Sequence, residues 1–172
     1  MQYNKISTGD PCLSLFYKRK KGEGIMEYNP NEALKLKNQL CFPLYAAARR
    51  ITSVYTPYLK PLGLTYTQYI VFLVLWEEDH LPVSEIGDRL LLDSGTLTPL
   101  LKKMEKEGYL TRVRSKADER SVIVSLTEAG KALKEKVAEI PLLASQCVRL
   151  NPEEGRTLYT LLYKLLGDET ER

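Results

Sequence analysis

The stretch from residue 84 to residue 126 most narrows what this chain can fold into. "SEIGDRLL" (84–91) reads as a short helix with Ser84 as its cap, and "LDSG" (92–95) as a tight turn. A second helix over 94–108 places Leu97, Leu100, Leu101 and Met104 at i, i+3, i+4 and i+7, one buried stripe, and Gly108 ends it. "YLTRVRS" (109–115) alternates like a strand, "KADER" (116–120) is a charged loop, and "SVIVSL" (121–126) is the returning strand. Helix, turn, helix and hairpin in that order make a winged helix-turn-helix. The expected class is mainly α with a small β-wing.

The flanks are helical. Over 31–63, Leu36, Leu40, Leu44, Ala47, Ala48, Ile51 and Tyr55 recur at helical spacing, and Pro43 predicts a kink or a helix start close to Cys41. The segment 65–79 is nearly apolar all round, so it is expected to be buried, with Thr65 or Thr67 as its cap. "LPV" (81–83) reads as a short extended piece. A helix over 127–140 is capped by Thr127, and Pro141 is expected to bend or break it. The last helix opens on Asn151, Pro152 and Glu154, a capping box, and carries a stripe of Leu158, Leu161, Leu162 and Leu165. The long first helix and the leucine-striped last one predict a homodimer built from the chain ends, pairing two winged helices for a palindromic site. Residues 26–63 and 127–172 are thus assigned to dimerisation and 64–126 to DNA binding.

Within the 172 residues the formal charge is +3, and residues 1–25 account for all of it, leaving 20 charges of each sign in 26–172. A case for nucleic acid therefore rests on where cations cluster. On the helix face opposite the leucine stripe lie Ser94, Gly95, Thr96, Thr98, Pro99, Lys102, Lys103 and Lys106. Small hydroxyls at a helix start suit base edges or phosphates in a major groove, and lysines further along suit phosphates. From Lys102 to Arg120 there are seven basic residues, including Arg112, Arg114, Lys116 and Arg120, against four acidic ones. Asp118 would be repelled by phosphate unless it positions an arginine, and Arg120, two residues on, is the one it could aim at a minor groove. Double-stranded DNA, as a pseudo-palindromic operator, is the expected partner.

Residues 1–25 lack periodicity and end in a basic run before Met26. They read as an extension from a start placed upstream of Met26, with a basic DNA-touching arm as the alternative. No apolar run reaches the length of a membrane span and no signal-peptide pattern is visible, so the expected location is cytoplasmic. Cysteines at 12, 41 and 147 fit neither a zinc motif nor a disulfide framework, and no metal or cofactor is expected. His80 reads as exposed polar surface. From the residues alone Cys41 is either a small buried hydrophobe or a reactive thiol. Tyr45 lies one turn along from it, and Phe42, Leu44, Phe72 and Trp76 would give an apolar surround suited to an organic peroxide.

Four stretches together carry a resemblance. "DERSVIVSLTEAG" (118–130) resembles the wing signature of the MarR family of bacterial transcription regulators. "LDSGTLTPLLKKMEKEGYLTR" (92–112), "LCFPLY" (40–45) and "LTYTQYIVFLVLWE" (64–77) resemble its organic-hydroperoxide branch. The resemblance spans residues 36–166. It implies a homodimeric winged-helix repressor rather than an enzyme, with Cys41 as the redox sensor. It implies Tyr55 and Tyr66, with Tyr45, as hydrogen-bond donors to the thiolate, and Cys147 as the candidate resolving cysteine of the partner subunit's sensor. Two other readings remain: a repressor answering a small aromatic ligand with Cys41 a bystander, and a thiol peroxidase.

Overall fold

The computed structural model describes residues 17–19, 26–116, 118 and 120–167, with side chains from residue 29 onward. They form two compact units, 1–53 and 54–172. In the first, strands β1 (Tyr17–Arg19) and β2 (Met26–Tyr28) pair antiparallel, with Lys18 opposite Glu27. The segment before Met26, where no element is expected, therefore contributes a strand. Backbone pairing needs no apolar alternation, so periodicity gave no sign of it. The rest of the extension, Cys12 included, lies outside the described residues.

Helix α1 (Pro30–Ala33) is capped by the Asn29 side chain. After a 3-10 turn at Leu36–Asn38 the chain starts α2 (Cys41–Val54). Pro43 is its third residue, where a missing N–H is harmless because the first four amides of a helix have no intrahelical acceptor. The proline thus sets a start at Cys41, one of the two outcomes expected of it.

The second unit holds α3 (Thr56–Leu59), α4 (Tyr66–Glu77), β3 (Leu81–Pro82), α5 (Val83–Leu90), α6 (Ser94–Lys106), β4 (Leu110–Arg114), β5 (Val122–Leu126), α7 (Glu128–Val137), α8 (Ile140–Ser145) and α9 (Pro152–Leu165). Thr65 caps α4 in a capping box with Gln68. Thr127 and Asn151 cap α7 and α9 as expected, and Gly108 closes the α6 turn at a φ of 80°. Ser84 is not a cap: α5 begins at Val83 behind Pro82, and no side chain caps it. The sheet has strand order β3–β5–β4, with Arg112 opposite Val124 and Leu81 on the other side of Val124.

The core gathers Phe72 and Leu75 of α4, Ile86 of α5, Leu97, Leu101 and Met104 of α6, Leu110 of β4 and Val124 of β5. Each is essentially sealed from water, worth about 1.5–3 kcal/mol per large apolar side chain. Leu133 and Val137 of α7 join the same cluster. This packing fixes the rotation of α6 about its axis, and hence the face it turns outward. Gln68 is the one polar side chain among the buried residues described. Elsewhere apolar side chains stay exposed: Leu161, Leu165 and Leu166 on and just after α9, and Leu40, Phe42 and Leu44 at the start of α2.

Candidate nucleic-acid interface and thiol site

The first turn of α6 is organised by Asp93. Its carboxylate accepts from the backbone N–H of Thr96 at 2.9 Å and from the Thr96 hydroxyl at 2.9 Å. These bonds, the hydroxyl one foremost, hold the Asp93 carboxyl below the usual carboxylate range. They also fix the Thr96 side chain, leaving its oxygen lone pairs outward as acceptors. Ser94, Gly95, Thr96, Pro99, Lys102, Lys103 and Lys106 are exposed, and Thr98 is half-buried. The apolar stripe faces inward and the hydroxyl-and-lysine face outward, as the spacing predicts. Lys103 lies 3.8 Å from Glu107 on the next turn.

In the wing, Arg114, Lys116, Asp118 and Arg120 are exposed. Arg112 departs from expectation. Its guanidinium donates to Glu105 at 3.0 and 2.8 Å, and its backbone N–H donates to the same carboxylate at 3.1 Å. Arg112 ties β4 to α6 rather than offering a free cation. This pairing also holds the Glu105 carboxyl below the usual range. Asp118 does organise Arg120, but through the backbone: its carboxylate accepts from the Arg120 N–H at 3.0 Å. A groove of about 240 Å³ opens between α5, α6 and the wing, lined by Ser84, Thr98, Arg120 and Ser121 among others. Sequence reasoning takes Ser84 only for a cap and passes over Ser121, because only the tertiary fold brings them beside Thr98. His80 is exposed as expected, in a left-handed conformation, with Nδ1 at 2.7 Å from the Ser125 hydroxyl.

Cys41 is an exposed free thiol at the first residue of α2 and donates to the Gln39 side-chain oxygen at 3.8 Å. Tyr45, one turn on, is engaged by Arg49, whose guanidinium donates to the phenol oxygen at 3.4 Å and lies 5.6 Å from the ring centre. Cys41, Tyr45 and Arg49 follow at i, i+4 and i+8, so Arg49 was legible in the spacing and was overlooked. In the second unit Tyr55 and Tyr66 meet edge to face at 5.1 Å, and Tyr69 joins them at 5.7 Å from Tyr55. Burial, reinforced by neighbouring phenols, pushes Tyr66 and Tyr69 up from the ordinary phenol value. At neutral pH both remain protonated and able to donate. Phe72, expected in the apolar surround of the thiol, is fully buried, stacked on Trp76 at 5.2 Å and edge-on to Tyr109. Cys147 is an exposed free thiol just after α8. No group of metal-binding side chains occurs among the described residues, and none of their helices is long and apolar enough to cross a membrane.

Comparison with known proteins fixes the family. The chain is 49% identical over 138 residues to the organic hydroperoxide resistance transcriptional regulator of Bacillus subtilis, spanning 80% of this chain and 94% of that one. The chain belongs to the MarR family of transcriptional regulators, in its organic-hydroperoxide branch. A family model described as transcriptional regulator SarA/Rot matches residues 53–137. The regulator SarZ of Staphylococcus aureus is 50% identical over 105 residues, 61% of this chain and 71% of SarZ. Among solved structures, reduced AbfR bound to DNA, from a protein of Staphylococcus epidermidis, matches with a TM-score of 0.66 at 38% identity. That match covers 80% of this chain and 96% of AbfR. The winged helix expected from residues 84–126 is the fold observed, and its MarR type is the one the resemblance implied.

Proposed function

We propose that this chain is a homodimeric transcriptional repressor that binds a pseudo-palindromic operator and releases it when an organic hydroperoxide oxidises Cys41. The observation that carries the reading is the outward face of α6. With Leu97, Leu101 and Met104 buried, it presents Ser94, Thr96, Pro99 and Lys102 to solvent, beside the wing cations Arg114, Lys116 and Arg120. AbfR, solved on DNA in its reduced form, supports it. The apolar residues that α9 leaves exposed suit a dimer interface, with 26–63 and 127–172 as the dimerisation region and 64–126 as the reader. Such a regulator works in the cytoplasm, where its operator is.

The chemistry follows from an exposed thiol. The Cys41 thiolate attacks the outer oxygen of the hydroperoxide, the O–O bond breaks, and the alkoxide leaves and takes a proton as the alcohol. Cys41 is then a sulfenic acid. Phenols of Tyr55 and Tyr66, with Tyr45, would stabilise the attacking thiolate by donating hydrogen bonds. The Cys147 thiol of the partner subunit would then displace water from the sulfenic acid to give a disulfide. Either change disturbs the spacing of two recognition helices, and losing one half-site removes several phosphate contacts. The relatives are transcription regulators, which favours this reading over a thiol peroxidase.

A mobility shift with the DNA upstream of its own gene tests this. Stoichiometric cumene hydroperoxide should release the DNA and dithiothreitol should restore binding. Cys41→Ser should bind and ignore peroxide, and Cys147→Ser should respond but recover differently. Binding indifferent to peroxide in the unaltered protein would overturn the redox reading.

A further inference from the structure

We propose that Gln68 and Glu107 are positioning residues that transmit the state of the tyrosine cluster to the recognition helix. The inference rests on the redox reading above and adds how the signal leaves the cluster.

Gln68 stands in the first turn of α4, between Tyr66 and Tyr69, and is completely buried. Its side-chain oxygen accepts from the Thr65 N–H at 2.9 Å and from the Thr65 hydroxyl at 3.1 Å. Its side-chain nitrogen donates to the Glu107 carboxylate at 2.8 Å. Glu107 is the residue that ends α6. One amide thus joins the start of the helix carrying Tyr66 to the end of the helix carrying Ser94, Thr96 and Lys102.

Three features mark this contact as a joint rather than filler. First, a carboxylate at a helix C-terminus opposes the helix dipole, so Glu107 sits where capping alone would disfavour it. Second, the buried stripe of α6 (Leu97, Leu101, Met104) makes apolar, non-directional contacts and the Glu105–Arg112 pair ties α6 to β4, whereas the Gln68–Glu107 bond is the directional one that reaches α4. Third, Tyr55 packs on both Tyr66 and Tyr69, so a displacement of Tyr55 acts on the same turn that carries Gln68. A shift of that turn must either drag Glu107 with it or leave a buried amide unpaired. Rigid elements with alternative hydrogen-bonded arrangements are what carry coupling between sites.

The test measures operator binding and Cys41 oxidation together, in the full-length protein, with cumene hydroperoxide as oxidant. Glu107→Ala cuts the joint at its more exposed end without opening a core cavity, and Glu107→Gln keeps a partner for Gln68. Reduced Glu107→Ala should bind the operator within about threefold of the unaltered protein, since coupling and not the reading face is removed. When intact-mass analysis shows Cys41 fully oxidised, its loss of affinity should be at least about fivefold smaller than in the unaltered protein. Glu107→Gln should switch normally. If oxidised Glu107→Ala releases DNA as fully as the unaltered protein, the joint is not the transmitter and the redox reading stands. If reduced Glu107→Ala fails to bind, the contact only holds the helix in place and the proposal is wrong. If the unaltered protein keeps its DNA when Cys41 is oxidised, the redox reading itself falls and takes this one with it.

Discussion

Asp118 accepts a hydrogen bond from the backbone N–H of Arg120 at 3.0 Å, and the Asp118 carbonyl accepts from the N–H of Ser121 at 2.9 Å. Asp118 thus holds the backbone of Arg120 and Ser121 in a turn while keeping its own negative charge. Two substitutions separate positioning from contact. Asp118→Ala removes one hydrogen bond, worth about 1 kcal/mol, and should weaken operator binding by roughly fivefold. Its salt dependence should keep its slope or steepen, since a negative charge is lost. Arg120→Ala removes a cation, so binding should weaken further and the slope of log K against log salt should shrink by about 1. Titrations at several salt concentrations check both. An unchanged slope in Arg120→Ala would remove Arg120 from the interface.

Arg112 gives the opposite expectation. Its guanidinium is held by Glu105, with the Arg112 side chain 20% exposed and the Glu105 side chain 36% exposed. Solvent screening at that exposure limits the pair to about 1 kcal/mol. Arg112→Ala should therefore lower thermal stability by a few degrees while leaving the salt slope of DNA binding unchanged. The pH sign follows from the direction at Glu105. Its folded-state carboxyl is depressed, so its contribution is fully present above the unfolded glutamate value and is lost as pH falls through the folded one. Glu105→Gln should therefore lower stability at neutral pH by about 1 kcal/mol, flatten the acid limb, and converge on the unaltered protein at low pH, where Glu105 is protonated in both states. Urea midpoints from pH 2 to 7 would show it.

What the sequence made legible was local. The stripe of Leu97, Leu101 and Met104, the stop at Gly108, and the caps at Thr127 and Asn151 each depend on residues within one or two turns. The outward face of α6 followed from that stripe. Ser84 was misread because Pro82 leaves β3 and starts a helix at once, placing the serine inside the first turn. The pairing of Arg112 with Glu105 was not legible, because Glu105 sits seven residues back on a different element, where no periodicity connects them. Tyr69 lies three residues past Tyr66 and was within reach of the helical spacing. Gln68 meeting Glu107 was not, since the pairing spans 39 residues and two helices.

Gly130 tests how tightly the wing is seated on α7. A β-carbon there would lie 2.2 Å from the Tyr109 carbonyl oxygen, and the Gly130 carbonyl itself accepts from the Trp76 indole N–H at 3.0 Å. The obstacle is backbone at the start of β4, which cannot swing aside as a side chain would. Alanine normally stabilises a helix position by about 1 kcal/mol over glycine. Here Gly130→Ala should instead destabilise by roughly 2–4 kcal/mol, the range of strain and overpacking in a closed site. Gly155, in α9 with nothing within 4 Å of such a carbon, is the control. Gly155→Ala should be neutral or stabilising in the same denaturation assay.

Tyr66 offers the sharpest test of the thiol chemistry. Burial, with the neighbouring Tyr55 adding to it, raises its phenol, so it stays a donor throughout the neutral range. Removing only the hydroxyl keeps the ring contact with Tyr55 at 5.1 Å and the core around it. A hydrogen bond to a charged acceptor contributes about 1.5–3 kcal/mol, so Tyr66→Phe and Tyr55→Phe should each slow Cys41 oxidation by roughly tenfold or more. Operator affinity of the reduced protein should not move, because neither tyrosine lies on α6 or the wing. Trapping the sulfenic acid with a dimedone-type reagent during stopped exposure to cumene hydroperoxide gives the rate directly. Oxidation at an unchanged rate in both variants would mean that the thiolate is stabilised by other groups, and Arg49, already bonded to Tyr45 on the face that carries Cys41, would be the next residue to replace.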